Sequence, residues 1–110
     1  MMRILLSICV CLCVCSVASG NESRPGFDAY WKGDLSSAFI AFEQSTTKTP
    51  DRYSAWYNYG TTAARLGKSG EAVYGFERAL RLSPNEQDAL TNLALVKKRS
   101  VEAFADKESE

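Results

Sequence analysis

Histidine is absent from the 110 residues, so neither imidazole acid–base catalysis nor a histidine metal ligand is available. An excess of one charge is also lacking. The 13 Lys plus Arg balance 13 Asp plus Glu, which leaves no surplus of cations to meet a phosphate backbone. The 4 cysteines, Cys9, Cys11, Cys13 and Cys15, are confined to one apolar run, Ile4 to Val17, and the rest of the chain has no thiol chemistry. At 14 residues that run falls short of the roughly 20 a membrane-spanning helix needs. The chain also lacks a glycine-rich phosphate loop and a metal-ligand cluster. The sequence therefore predicts no catalytic, cofactor or metal site, and no nucleic-acid or small-molecule partner.

Arg3 precedes the apolar run, and the small residues Ala18, Ser19 and Gly20 follow it, the layout of a secretory signal peptide over 1–20. Cleavage is expected near Gly20; cleavage after Ala18 fits the small-residue rule comparably, and either removes every cysteine. Residues 21–110 then keep 12 basic and 13 acidic side chains, net −1. An exported protein, periplasmic or envelope-associated, is the expectation.

A chain this short buries only about 60 to 65% of its unfolded surface, which favours a simple core built from local contacts. The sequence repeats itself at a period of 34: Gly26 recurs as Gly60, Ala29 as Ala63, Gly33 as Gly67, Ala38 as Ala72, Phe42 as Phe76, Glu43 as Glu77 and Pro50 as Pro84. The repeated residues have packing reasons: small ones where helices touch, an aromatic to fill the gap, a proline at the boundary. In 53–86, Trp56, Gly60, Gly67, Ala72, Phe76, Ala79 and Pro84 stand at the spacing of the tetratricopeptide repeat (TPR), which this segment resembles, departing at Ala63 where an aromatic is usual. The expected fold is all-α, a helix-turn-helix solenoid of about two repeats plus a C-terminal capping helix.

Residues 21–52 read as a truncated or divergent first repeat, with Glu22 in place of the tryptophan and a short first helix near Phe27 to Lys32. Residues 87–110 align with a first helix alone, Ala89 on Ala55, Asn92 on Asn58 and Arg99 on Arg65, and are expected to form a capping helix running through Phe104 into a charged tail. Its spacing suggests that Leu90, Leu93 and Ala94 face the second repeat. Ser83, Pro84 and Glu86 read as N-cap, first helical residue and capping-box partner, and Thr49, Pro50 and Asp51 as a similar start. Gly33 and Gly67 are expected to end helices in the left-handed conformation; Gly75, inside a helix, reads equally as a close helix approach or as tolerated sequence drift.

Catalysis is not expected; Glu43 and Glu77 repeat as structural surface positions rather than as an acid–base pair. Lys97, Lys98 and Arg99 form the only basic run, read first as a solvated helix face. In stacked repeats the first helix of each unit lines the inner face, which selects Tyr57, Asn58, Thr61 and Arg65 from the central helix and Asn92, Leu95, Lys98 and Arg99 from the last one as partner-binding candidates. Ser54 and Thr91 flank them; Tyr30 and Trp31 lie at the N-terminal end of the groove, where packing is the favoured role for Trp31. The TPR resemblance implies that Asn58 and Asn92 bond the backbone of an extended peptide and that the cations meet its acidic terminus.

The "NL" at Asn92 and Leu93, the segment Tyr74 to Pro84 and the late Asp106–Lys107 pair resemble the exported BatE-type TPR proteins of the bacterial aerotolerance cluster. That resemblance implies a cell-envelope scaffold whose partners are von Willebrand A-domain membrane proteins. Two alternatives are an outer-membrane or secretion-assembly accessory, and a chaperone-like clamp for an acidic peptide tail. A homodimer formed through the exposed edge of the first unit is a further expectation.

Overall fold

The structure is a computed structural model and describes residues 24–109; the signal peptide expected over 1–20 lies outside the described residues. Five helices follow one another: α1 (Arg24–Trp31), α2 (Leu35–Lys48), α3 (Tyr53–Arg65), α4 (Ser69–Leu82) and α5 (Gln87–Glu108). Each packs antiparallel to the next, as short connections require. Among the described residues there is no strand.

Gly33 and Gly67 turn the chain with φ of +82° and +74°, the two helix ends at which a side chain would be strained. After Gly33, the Asp34 carboxylate accepts the Ser37 N–H at 3.1 Å and caps α2. These bonds to Ser37 favour the ionised form and hold the Asp34 carboxyl below its usual range. The cap's contribution is complete above the ordinary carboxylate range and is lost as the pH falls through the lowered value.

The core consists of small residues and rings. Ala38, Ala63, Ala72, Ala79 and Ala89 are fully buried, and Phe42 and Phe76 are the largest fully buried side chains. A Cβ on Gly26 would lie 2.6 Å from the Phe42 ring, and one on Gly60 would lie 3.0 Å from the Phe76 ring. Both pairs place a phenyl ring in the space a glycine leaves, one repeat apart. A Cβ on Gly75 would lie 2.8 Å from the Cα and N of Gly60, so the α3 and α4 backbones are in direct contact there. The Trp56 indole N–H donates to the Pro50 carbonyl at 2.8 Å and ties α3 to the preceding turn.

Several local details differ from the sequence reading. Among the described residues α1 spans Arg24–Trp31, ending one residue before the expected Lys32. Thr49 does not start α3. Its hydroxyl donates to the Ser45 carbonyl at 2.9 Å and closes the end of α2, and α3 begins after Arg52 without a side-chain cap. The expected capping box does not form: the Ser83 hydroxyl donates to the Glu86 carboxylate at 3.2 Å instead of either side chain meeting a backbone amide, Ser83 is the C-cap of α4, and α5 begins only at Gln87. The end of α5 is not such a difference: it runs through Phe104 and stops within the charged tail, at Glu108. Its packed face is also rotated from the expected one. Ala89 and Val96 are buried and Leu93 partly so, whereas Leu90 and Ala94 are exposed. Ala89 and Val96 join the cluster of Ala63, Ala72 and Phe76, which leaves Leu90 on the outer side.

Gly70 and Gly75 lie on the same helix, and a Cβ on Gly70 would meet nothing within 4 Å. Gly70→Ala is expected to raise stability by roughly 0.5 to 1 kcal/mol. Gly75→Ala is expected to lower it by about 1 kcal/mol or more, because overpacking outweighs the helix-propensity gain. Urea unfolding of both variants checks this, and a stabilised Gly75→Ala would contradict the backbone contact.

Candidate functional site

α1, α3 and α5 share one face of the stack, and two cavities open on it, each of about 200 Å³. The first lies between α1 and α3. Phe27, Tyr30 and Trp31 form one wall, Asn58, Thr61 and Thr62 the other, and Phe42 lies at its base. The second lies between α3 and α5, lined by Thr61, Ala64 and Arg65 on one side and Asn92, Leu95, Val96 and Arg99 on the other, with Phe76 at its base. Thr61 belongs to both cavities, and its Oγ1 is buried without a hydrogen-bond partner.

Two side-chain bonds connect successive first helices, and each spans 35 residues. Arg65 donates from a guanidinium N–H to the Tyr30 hydroxyl at 2.9 Å, with its Cζ 5.1 Å from the centre of the Tyr30 ring. Asn92 donates its amide to the Tyr57 hydroxyl at 3.1 Å. Tyr57 is packed from below by Phe76, with ring centres 5.8 Å apart, and stacks on Tyr53 at 5.6 Å.

Of the eight sequence candidates, Asn58, Thr61, Arg65, Asn92, Leu95 and Arg99 line the cavities. Tyr57 stands under them as the acceptor for Asn92. Lys98 is exposed and lines neither cavity, as are Ser54 and Thr91. Trp31 departs from its expected packing role: it is 80% exposed and touches Tyr30 only edge-on, ring centres 5.4 Å apart. Phe27, 40% exposed and edge-on to Phe42 at 5.3 Å, was not singled out from the sequence. Its signal was its place one turn before Trp31 on the same short helix.

The chemistry offered is two guanidinium groups beside one cavity, aromatic faces beside the other, and amide and hydroxyl groups between them. Among the described residues no group of three or more His, Cys, Asp or Glu is placed to hold a metal ion, and no helix is long and apolar enough to cross a membrane. Burial pushes the Tyr53 phenol up to about 12, with the Glu86 carboxylate, Tyr57 and Asp88 adding to the effect.

Residues 53–86 match the profile of the tetratricopeptide repeat family. The chain is 35% identical over 63 residues to a peroxisomal targeting signal receptor of Yarrowia lipolytica, an alignment covering 57% of this chain and 10% of that protein. It is 37% identical over 65 residues to a TPR repeat-containing protein of Schizosaccharomyces pombe, covering 59% and 8%. A peroxisomal targeting signal receptor of Pichia angusta is 31% identical over 83 residues, covering 68% and 15%. The chain thus spans about a tenth of the length of these curated relatives. It carries a tetratricopeptide repeat within an all-α TPR-type helical stack, and TPR repeats are generally non-catalytic interaction modules.

The raised Tyr53 pKa has a definite sign. Its contribution is complete below pH 10 and is lost between about 10 and 12, where the unfolded chain ionises first. Phenolate absorbance is expected to show one tyrosine titrating last, and Tyr53→Phe to remove that step and flatten the alkaline loss of stability. Burial raises Tyr59 as well, so the test is the step near 12: its survival in Tyr53→Phe would contradict the assignment.

Proposed function

We propose that the chain is a non-catalytic adaptor whose α1–α3–α5 face binds an extended segment of a protein partner, with an acidic group of that segment held at Arg65 and Arg99. The observation that carries this is the placement of both guanidinium groups beside one cavity with the Asn92 amide, on the face shared by successive first helices. Arginine presents a planar fork of donors suited to a carboxylate. The names of two relatives, receptors for a targeting signal, support a role in which a segment of another protein is the ligand.

In this reading the chain is exported, with cleavage near Gly20, and serves as a scaffold of the bacterial cell envelope alongside von Willebrand A-domain membrane proteins. The layout of residues 1–20 and the BatE-type resemblance support that part. The chaperone-like clamp for an acidic tail uses the same two arginines and differs only in its partner; an outer-membrane or secretion-assembly accessory differs in its location.

Reversing both charges, Arg65→Glu with Arg99→Glu, is expected to weaken binding of an acidic peptide at least about tenfold, equivalent to about 1.4 kcal/mol, with helical circular dichroism unchanged. Affinity equal to that of the unaltered chain would overturn the groove reading. Mild crosslinking in native envelopes tests the finer part: capture of A-domain membrane proteins is expected, and capture of outer-membrane or secretion components alone would overturn it.

A further inference from the structure

The cavity between α1 and α3 is too small for a drug-sized ligand, at about 200 Å³ against the usual 300 to 1,000 Å³, and its size suits a single side chain. Its walls are largely rings. Phe42 closes the base and is 1% exposed, while Phe27 and Trp31 stand at the mouth and leave their faces to solvent. An aromatic that is 80% exposed contributes little to the fold, and exposed aromatics beside a concavity are typical anchors for a partner.

Two observations connect this cavity to the cationic one. Arg65, which lines the second cavity, bonds the Tyr30 hydroxyl and lies over the Tyr30 ring, so the cation and the aromatic wall form one unit. Thr61 lines both cavities, and its buried Oγ1 has no partner. Buried hydroxyls are rarely left unpaired, and a rotation about χ1 of Thr61 turns this one toward the backbone of a chain crossing from one cavity to the other.

We propose that the α1–α3 cavity is a subsite for one bulky apolar side chain, aromatic or branched aliphatic, placed two residues from the acidic group of the bound peptide. The inference rests on the groove reading above. The spacing is that of an extended chain, in which side chains two apart point to the same face about 7 Å from each other, and Thr61 lines both cavities, so that neighbouring same-face side chains enter neighbouring cavities. Thr61 fixes the register by bonding the backbone between the two side chains.

Calorimetric titration with heptapeptides of glycine and serine tests this. Each carries one glutamate, with phenylalanine or alanine two residues before or after it. One of the two phenylalanine peptides is expected to bind at least about tenfold tighter than its alanine counterpart. Trp31→Ala combined with Phe27→Ala is expected to bring that ratio close to one. Thr61→Val is expected to weaken the phenylalanine peptide while leaving the melting temperature equal or higher, because it removes an unsatisfied buried hydroxyl. A purely structural Thr61 would leave affinity unmoved. Equal affinity for phenylalanine and alanine peptides, with both still weakened by Arg65→Glu, would overturn the subsite and leave the groove reading standing. Binding of neither peptide, or binding indifferent to Arg65→Glu, would overturn both.

Discussion

Gly60 and Gly75 bring the backbones of α3 and α4 into contact, and the rest of the stack is arranged around that approach. With the two helices so close, the Phe76 ring has one place to go, against the Cα of Gly60, and there it is fully buried. The same device appears one repeat earlier, where Phe42 fills the space over Gly26. These rings also form the bases of the two cavities on the opposite side. A single steric requirement therefore links sequence to groove: the glycine admits the ring, the ring supports the cavity, and the cavity's polar rim comes from the exposed flank of the same helices. Burying each ring is worth roughly 1.5 to 3 kcal/mol, enough to make this pair of contacts the main support of so small a domain.

The features legible in the sequence were those fixed by short-range sterics. Gly33 and Gly67 announced their turns because only glycine takes a positive φ without strain, and the alanine, glycine and phenylalanine positions announced the repeat because helix spacing admits little else. Helix ends were less legible. Thr49 and Ser83 each stand between two helices, and a hydroxyl there is able to close the helix before or open the one after; the Thr49 hydroxyl closes α2, whereas Ser83 closes α4 through its backbone N–H and turns its hydroxyl forward to Glu86. The orientation of α5 is less legible because hydrophobicity points to Leu90, whereas the packed face runs through Ala89 and Val96.

The groove was legible as a face and less so residue by residue. Asn58 and Asn92 are equivalent in the repeat, yet Asn92 bonds Tyr57 and Asn58 lines the first cavity. One repeat before Tyr57 the sequence has Ser23, so no equivalent ring stands in register for Asn58. The sequence favours packing for Trp31 because an aromatic there covers a short first helix. Its exposure goes with its place at the end of α1, just before Gly33 turns the chain. The unpaired hydroxyl of Thr61 has no sequence signature, since a threonine at a helical position reads equally well as core or surface.

The central claim is that the face shared by α1, α3 and α5 is the binding surface. The most direct test is to follow the backbone amide resonances of the isotopically labelled chain by nuclear magnetic resonance while an acidic peptide is added. The account predicts shifts at Asn58, Thr61, Arg65, Asn92 and Arg99, with the outward positions Ile40 on α2 and Tyr74 on α4 unmoved. Shifts concentrated on the outer faces of α2 and α4, with the cavity residues unaffected, would contradict it.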